Sequence, residues 1–169
     1  MQDIKIIAKN AVEELVSLME QHDALPEFAK YRAKFEGWVK VELLGILQKL
    51  AKTEVVPEMD RHDLVMGDYC AIELKTTNTN YRIEGVLNKT RPITRNIESI
   101  IEDVEKLKKS KYPFKMMVFV VFPLSNPEKP EWKGHLSKLK PYFEKLEEKP
   151  FKFKNGIPAV LYYGFPNSK

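Results

Sequence analysis

The residues from Phe114 to Phe122 form a nearly continuous apolar run that is rich in Val and Phe. A strand that is apolar along its whole length, rather than at alternate positions, is typical of a strand buried on both faces of a sheet. Both faces of such a sheet must be covered by other elements, and helices are a common cover. The run therefore predicts a central strand with helices on both sides.

The remaining sequence supplies candidate elements around this run. Helical spacing of apolar residues, or an alternation of lysines and acids, predicts helices at 3–21, from 27 or 30 to 51, at 94–109 and at 132–148. Other strands are predicted at 53–58, in the two halves of 63–75, and at 158–165. This order predicts an α/β fold, a mixed β-sheet flanked by α-helices, in a single domain spanning 1–169.

Composition limits the classes of protein to consider. Hydrophobic residues make up 43% of the 169 residues, and no apolar run is long enough for a membrane span, so we expect a cytoplasmic protein with no membrane partner. Cys70 is the only cysteine, which excludes an intramolecular disulfide and a Cys/His zinc cluster. A formal net charge of +4 favours a polyanionic partner.

Three charges lie within core-forming sequence at 63–75. Asp63 precedes one short apolar run, and Glu73 and Lys75 follow another. Isolated ions are costly to bury, so each of these charges requires a partner. Side chains alternate along a strand, which places Glu73 and Lys75 on the same face. His62, by the same alternation, is expected to face away from the acids.

The turn between the two halves decides whether the acids meet. A two-residue turn at Gly67 and Asp68 would pair Asp63 with Ile72, whereas a loop of three residues would place Asp63 opposite Glu73. We predict the longer loop or a bulge, because only that pairing gathers the two carboxylates.

Two carboxylates beside an ammonium suit a hard divalent cation such as magnesium (Mg2+), with manganese (Mn2+) as a substitute. Such an ion activates water and neutralises charge on a phosphate, which is the chemistry of phosphodiester hydrolysis. The alternative is a buried salt-bridge triad with no reaction. The acid-x-lysine pattern also recurs in polar or helical-looking surroundings, where solvated charge is the better interpretation: Asp3-Ile4-Lys5, Glu131-Trp132-Lys133 and Glu147-Glu148-Lys149.

Glu36 in the predicted second helix, His62-Asp63-Leu64-Val65 and Ile72-Glu73-Leu74-Lys75-Thr76 together resemble the PD-(D/E)XK nuclease superfamily, which has the restriction-endonuclease-like fold. The resemblance covers a core of about 35–122 and leaves the helix at 3–21 and the helix and strand at 132–165 as additions. No proline directly precedes Asp63, which keeps Glu58 and Asp60 as rival acids.

The resemblance implies that Asp63, Glu73 and the main-chain carbonyl of Leu74 bind Mg2+, while Lys75 assists the attacking water. The helix acid would be Glu36, with Glu42 as the alternative, since both lie near the margin of the apolar helix stripe. In the simpler interpretation, each of these two acids pairs with Lys34 or Lys40 at the protein surface.

The resemblance implies a magnesium-dependent endodeoxyribonuclease of restriction or repair type, with DNA as partner. A homodimer would suit double-strand cleavage. The alternatives are a non-catalytic DNA-binding or assembly module and an RNA nuclease. Basic and amide side chains that follow the second half of 63–75 are the candidate DNA contacts: Asn78, Asn80, Arg82, Lys89, Arg91 and Arg95.

Overall fold

The structure, a computed structural model, describes residues 3–88 and 92–168. Two predicted DNA contacts, Lys89 and Arg91, lie outside these residues. The described helices and strands are α1 (Ile4–Gln21), α2 (Leu25–Lys30), α3 (Glu36–Ala51), β1 (Val55–Pro57), β2 (Leu64–Met66), β3 (Cys70–Asn78), α4 (Ile93–Lys108), β4 (Phe114–Phe122), α5 (Pro130–Leu139), β5 (Phe143–Lys152) and β6 (Pro158–Pro166).

The strands form one mixed sheet in the order β1-β2-β3-β4-β6-β5. Strands β3 and β4 are parallel and joined through α4, whereas the other neighbours are antiparallel. Strand β4 lies inside the sheet, and its residues from Met116 to Phe122 are buried. The predicted α/β class, a mixed β-sheet with helices, and the interior position of β4 are therefore confirmed.

Each face of the sheet carries its own apolar core. One core packs α1 and α3 against residues such as Ile72 and Leu74 of β3. The other packs α4 and α5 against residues such as Ala71 of β3 and Met117 of β4. Alternation along β3 therefore directs Glu73, like Ala71, to the layer that contains α4. Among the described residues, no helix combines the length and apolar character required to cross a bilayer.

The predicted second helix is interrupted, which corrects the sequence analysis. Helix α2 ends at Lys30 and α3 begins at Glu36, with Arg32 between them at a φ of 54°. The guanidinium of Arg32 is buried and donates hydrogen bonds to three backbone carbonyls of the segment after β3. Burial lowers the pKa of Arg32. These tertiary contacts outweigh the local preference for one continuous helix.

The predicted helix at 132–148 is also wrong in its second half. Helix α5 ends at Leu139, and the chain then enters β5, which pairs with β6 along the edge of the sheet. Glu, Lys and Leu favour helix locally, but pairing with a distant strand decides the outcome here. The lysines and acids of β5 are exposed or half-buried, while Phe143 and Phe151 are buried.

Candidate functional site

The β2–β3 hairpin brings the two predicted strand acids together. Met66 lies opposite Cys70 and Leu64 lies opposite Ile72, so the next pair outward is Asp63 and Glu73. The loop between the strands has three residues, which confirms the predicted longer loop.

One backbone conformation and one hydrogen bond stabilise the pairing of Asp63 with Glu73. Gly67 in the loop has a φ of +56°, a conformation that residues with a side chain rarely adopt. The backbone N–H of Leu74 donates to Oδ2 of Asp63 at 2.8 Å, so the Asp63 carboxylate is held against the strand that carries Glu73.

Helix α4 covers the charged side of β3 with a matching row of polar side chains. Nζ of Lys75 lies 2.6 Å from Oγ of Ser99 and 2.5 Å from Oδ2 of Asp103. One turn further along α4, Nζ of Lys106 lies 3.0 Å from Oε1 of Glu73. Because α4 runs opposite to β3 in the crossover to the parallel strand β4, later helix residues meet earlier strand residues. The charges on β3 are thus partnered mainly by α4.

Glu73 is buried, with only 4% of its surface exposed, and is held by two donors. Nδ1 of His62 hydrogen bonds to Oε1 of Glu73 at 2.8 Å, beside the contact with Lys106. Burial raises the pKa of Glu73, and the charge of Asp63 acts in the same direction, while the two hydrogen bonds oppose the rise. The prediction that His62 faces away from the acids is wrong, because His62 precedes β2 and does not follow its alternation.

Asp63 has a lysine partner from the opposite layer. Its Oδ1 lies 2.7 Å from Nζ of Lys40 on α3, and Lys40 also bonds to Glu58. Burial tends to lower the pKa of Lys40, but the hydrogen bonds from the two carboxylates outweigh it, so this pKa is raised. In the alternative interpretation Lys40 would pair with Glu36 or Glu42, but its partners are Asp63 and Glu58. The rival acid Asp60 is bound instead to Lys111 and the Tyr112 hydroxyl.

The helix acid does not join the strand acids. Oε1 of Glu36 accepts a hydrogen bond from the backbone N–H of Thr76 at 2.9 Å, one residue beyond Lys75. Within 3–88 and 92–168, no three His, Cys, Asp or Glu side chains form a group that could hold a metal ion. Glu42 is half-buried and has no hydrogen bond or ion pair to Asp63 or Glu73 among these residues. The predicted trio of carboxylates is therefore not assembled.

The prediction of Mg2+ then depends on the two strand acids and one backbone carbonyl. This ion prefers oxygen ligands and is usually held by one or two carboxylates together with waters and substrate phosphate. Asp63 and Glu73 supply two adjacent carboxylates, and Leu74 between Glu73 and Lys75 offers a backbone carbonyl as the predicted additional ligand. In the structure, the ammonium groups of Lys40 and Lys106 form ion pairs with these two carboxylates.

The predicted DNA contacts differ in their exposure to solvent. Asn80, Arg82 and Arg95 are exposed. Asn78 is buried, its side-chain amide donates to the carbonyl of Arg32 at 2.7 Å, and its own carbonyl accepts from an α4 amide. A surface contact to DNA through Asn78 conflicts with this burial.

Sequence reasoning missed most of the partners in the site. The α4 residues had a recognisable signal, because Ser99, Asp103 and Lys106 recur at helical spacing beside the apolar stripe. Nothing in the local sequence of Lys40 or His62 indicates that each would meet an acid of the hairpin.

Comparison of the chain with models of protein families, with curated proteins and with solved structures gave no match. The resemblance to the PD-(D/E)XK superfamily therefore stays a prediction from the sequence. The geometry described here supports a proposal of function without an assignment to a family.

Proposed function

We propose that the chain is a magnesium-dependent endodeoxyribonuclease with the restriction-endonuclease-like fold of the PD-(D/E)XK superfamily. The proposal depends on one observation above the others, the β2–β3 register that places Asp63 opposite Glu73 with Lys75 two residues further along β3. Two carboxylates and an ammonium on one short hairpin are groups that can support metal-dependent phosphodiester hydrolysis.

In this proposal Asp63, Glu73 and the backbone carbonyl of Leu74 would hold Mg2+, which would supply positive charge to the phosphate and lower the pKa of a bound water. The attacking water would give up a proton to solvent as its oxygen bonds to phosphorus, and the leaving sugar oxygen would take up a proton from solvent as its bond to phosphorus breaks. Lys75 orients the attacking water through its ammonium group. Asp103 and Ser99 hold that ammonium, and the N–H of Leu74 holds the Asp63 carboxylate.

A second candidate, a non-catalytic DNA-binding or assembly module, is favoured by a different observation. Each of the three charges at the candidate site already has a partner within the protein: Lys40 for Asp63, Lys106 for Glu73 and Asp103 for Lys75. Buried ion pairs of this kind also occur where no reaction takes place. The two candidates differ in whether removal of a carboxylate changes cleavage or only stability.

Plasmid nicking with and without Mg2+ distinguishes the nuclease from the non-catalytic module. The wild-type protein is expected to nick supercoiled DNA with Mg2+ or Mn2+ and to lose this activity in EDTA. Asp63→Asn is expected to lower the rate roughly 100-fold or more, because the metal loses a charged ligand. Asp68→Asn, an exposed acid in the loop of the same hairpin, serves as the control and is expected to match the wild type.

The proposal fails if the wild-type protein cleaves neither DNA nor RNA at any metal concentration, or if Asp63→Asn and Asp68→Asn cleave equally. Cleavage of a structured RNA but not of plasmid DNA would assign the same chemistry to an RNA nuclease.

A further inference from the structure

A basic depression lies beside the candidate site, between the loop that precedes β2 and the end of α4. It has a volume of about 470 Å³, and we call it the basic basin. Four of its lining residues are cationic and one is acidic, in a chain whose formal net charge is only +4. The residues that line it are Asp60, Arg61, His62, Lys106, Lys109, Ser110, Lys111 and Tyr112.

The basic basin shares two residues with the surroundings of Glu73. His62 and Lys106 line the basin, and both also contact Oε1 of Glu73, at 2.8 and 3.0 Å. A ligand in the basin would therefore be separated from Glu73 by a single layer of side chains. The basin therefore adjoins the candidate site without including the two strand acids.

Part of the positive charge in the basin is not neutralised by neighbouring acids. Lys111 pairs with Asp60 at 2.8 Å and Lys106 pairs with Glu73. Arg61 and Lys109 are exposed and have no hydrogen bond or ion pair to an acid among the described residues. The helix dipole accounts for cations at the end of α4, but it does not account for Arg61, which comes from a separate loop.

The loop that supplies Arg61 has an unusual backbone. Glu58, Asp60 and Arg61 have φ values of 56°, 52° and 66°, which is the left-handed region that residues with a side chain seldom occupy. Asp60 anchors this loop, because its Oδ2 accepts a hydrogen bond from the Tyr112 hydroxyl at 2.6 Å. Such costly conformations are often retained at functional sites.

We propose that the basic basin binds the phosphodiester backbone of DNA beside the Asp63–Glu73 pair. Arginine, lysine and serine side chains are frequent donors to backbone phosphates, and the basin contains all three. The inference rests on the proposed function for the identity of the ligand. It places the main backbone contact at the end of α4 rather than at Arg82 and Arg95.

The test measures binding without metal, so that cleavage plays no part. Fluorescence anisotropy of a labelled DNA duplex in EDTA, over a range of NaCl concentrations, gives the affinity and its dependence on salt. The double variant Arg61→Ala/Lys109→Ala is expected to bind roughly tenfold more weakly or worse. The slope of log affinity against log salt should fall by about two, since each lost phosphate contact releases one fewer counterion.

Three controls sharpen this result. Lys9→Ala/Lys138→Ala removes the same charge from exposed positions on α1 and α5 and is expected to bind almost as the wild type. Arg82→Ala/Arg95→Ala tests the rival surface and should have the smaller effect on affinity. Arg61→Lys keeps the charge and should retain most of the binding.

The inference is overturned if the basin variant binds as tightly as the wild type, if Lys9→Ala/Lys138→Ala weakens binding equally, or if the wild type shows no salt-dependent binding. Because no metal is present, these outcomes are independent of plasmid nicking. A basin that binds DNA in a protein that never cleaves would support the inference and refute the nuclease. An active nuclease whose basin variant binds DNA as tightly as the wild type would support the proposed function and refute this inference.

Discussion

Two strands of the same sheet carry the same acid-x-lysine pattern in opposite environments. In β3, the side chains of Glu73 and Lys75 are 6% and 14% exposed. In β5, those of Glu147 and Lys149 are 41% and 35% exposed. Strand β3 lies between β2 and β4 beneath a helix, whereas β5 is an edge strand that faces water. Burial, and not the pattern itself, distinguishes a candidate site from a solvated surface.

The partners of these charges differ as much as their exposure. Lys75 is bound by Asp103 at 2.5 Å in the half-buried layer beneath α4. Lys149 reaches Glu13 on α1 at 3.3 Å across a much more open surface. Coulomb attraction is stronger where water is excluded. A buried ion that loses its partner also lowers the stability of the folded protein, because its charge is neither hydrated nor paired. On β5, the charges instead protect the sheet edge from pairing with other chains.

The largest difference between the two strands is expected in DNA cleavage. Lys75→Ala should lower the rate of plasmid nicking roughly 100-fold or more, because the attacking water loses the charged group that orients it. Lys149→Ala, the same change in the same sequence pattern, should leave the rate unchanged. Equal rates for the two variants under single-turnover conditions would remove the catalytic distinction between β3 and β5.

The next difference is expected in stability. Asp103→Ala should lower the free energy of unfolding by about 2 kcal/mol, because the largely buried ammonium of Lys75 keeps only Ser99 as a partner. Glu13→Ala, which removes the partner of Lys149, should cost about 0.5 kcal/mol or less. Urea denaturation at neutral pH measures both values. A cost for Glu13→Ala that matches or exceeds that of Asp103→Ala would contradict this account of burial.

The smallest difference is expected in the pH dependence of stability. Because the pKa of Glu73 is raised in the folded protein, mainly by burial, its stabilising contribution is present at low pH and is lost as the pH rises above the ordinary glutamate value of 4.5. Glu73→Gln abolishes this loss, so its stability relative to the wild type should increase over that interval.

Thermal denaturation across the acid range checks this expectation, with Glu147→Gln as the exposed control from β5. A stability difference between Glu73→Gln and the wild type that shrinks as the pH rises would show that the hydrogen bonds from His62 and Lys106 dominate over burial.

Much of the fold could be predicted because its signals are local. The apolar run of β4 and the helical periodicity of α1 and α4 each lie within one segment, and the structure places these elements within a residue or two of the prediction. Strand β5 could not be predicted in this way. Its lysines and acids are compatible with a helix, and only pairing with β6 and the burial of Phe143 and Phe151 make it a strand.

The sequence by itself determined that the two halves of 63–75 would form a short hairpin in which Asp63 meets either Ile72 or Glu73, and the three-residue loop of the structure selects Glu73. Only the tertiary structure decided which groups stand beside these acids. It brought Lys40 and Lys106 to the carboxylates and directed Glu36 to the backbone of Thr76. Register is set over a few neighbouring residues, whereas an ion pair between layers depends on how distant helices pack onto the sheet.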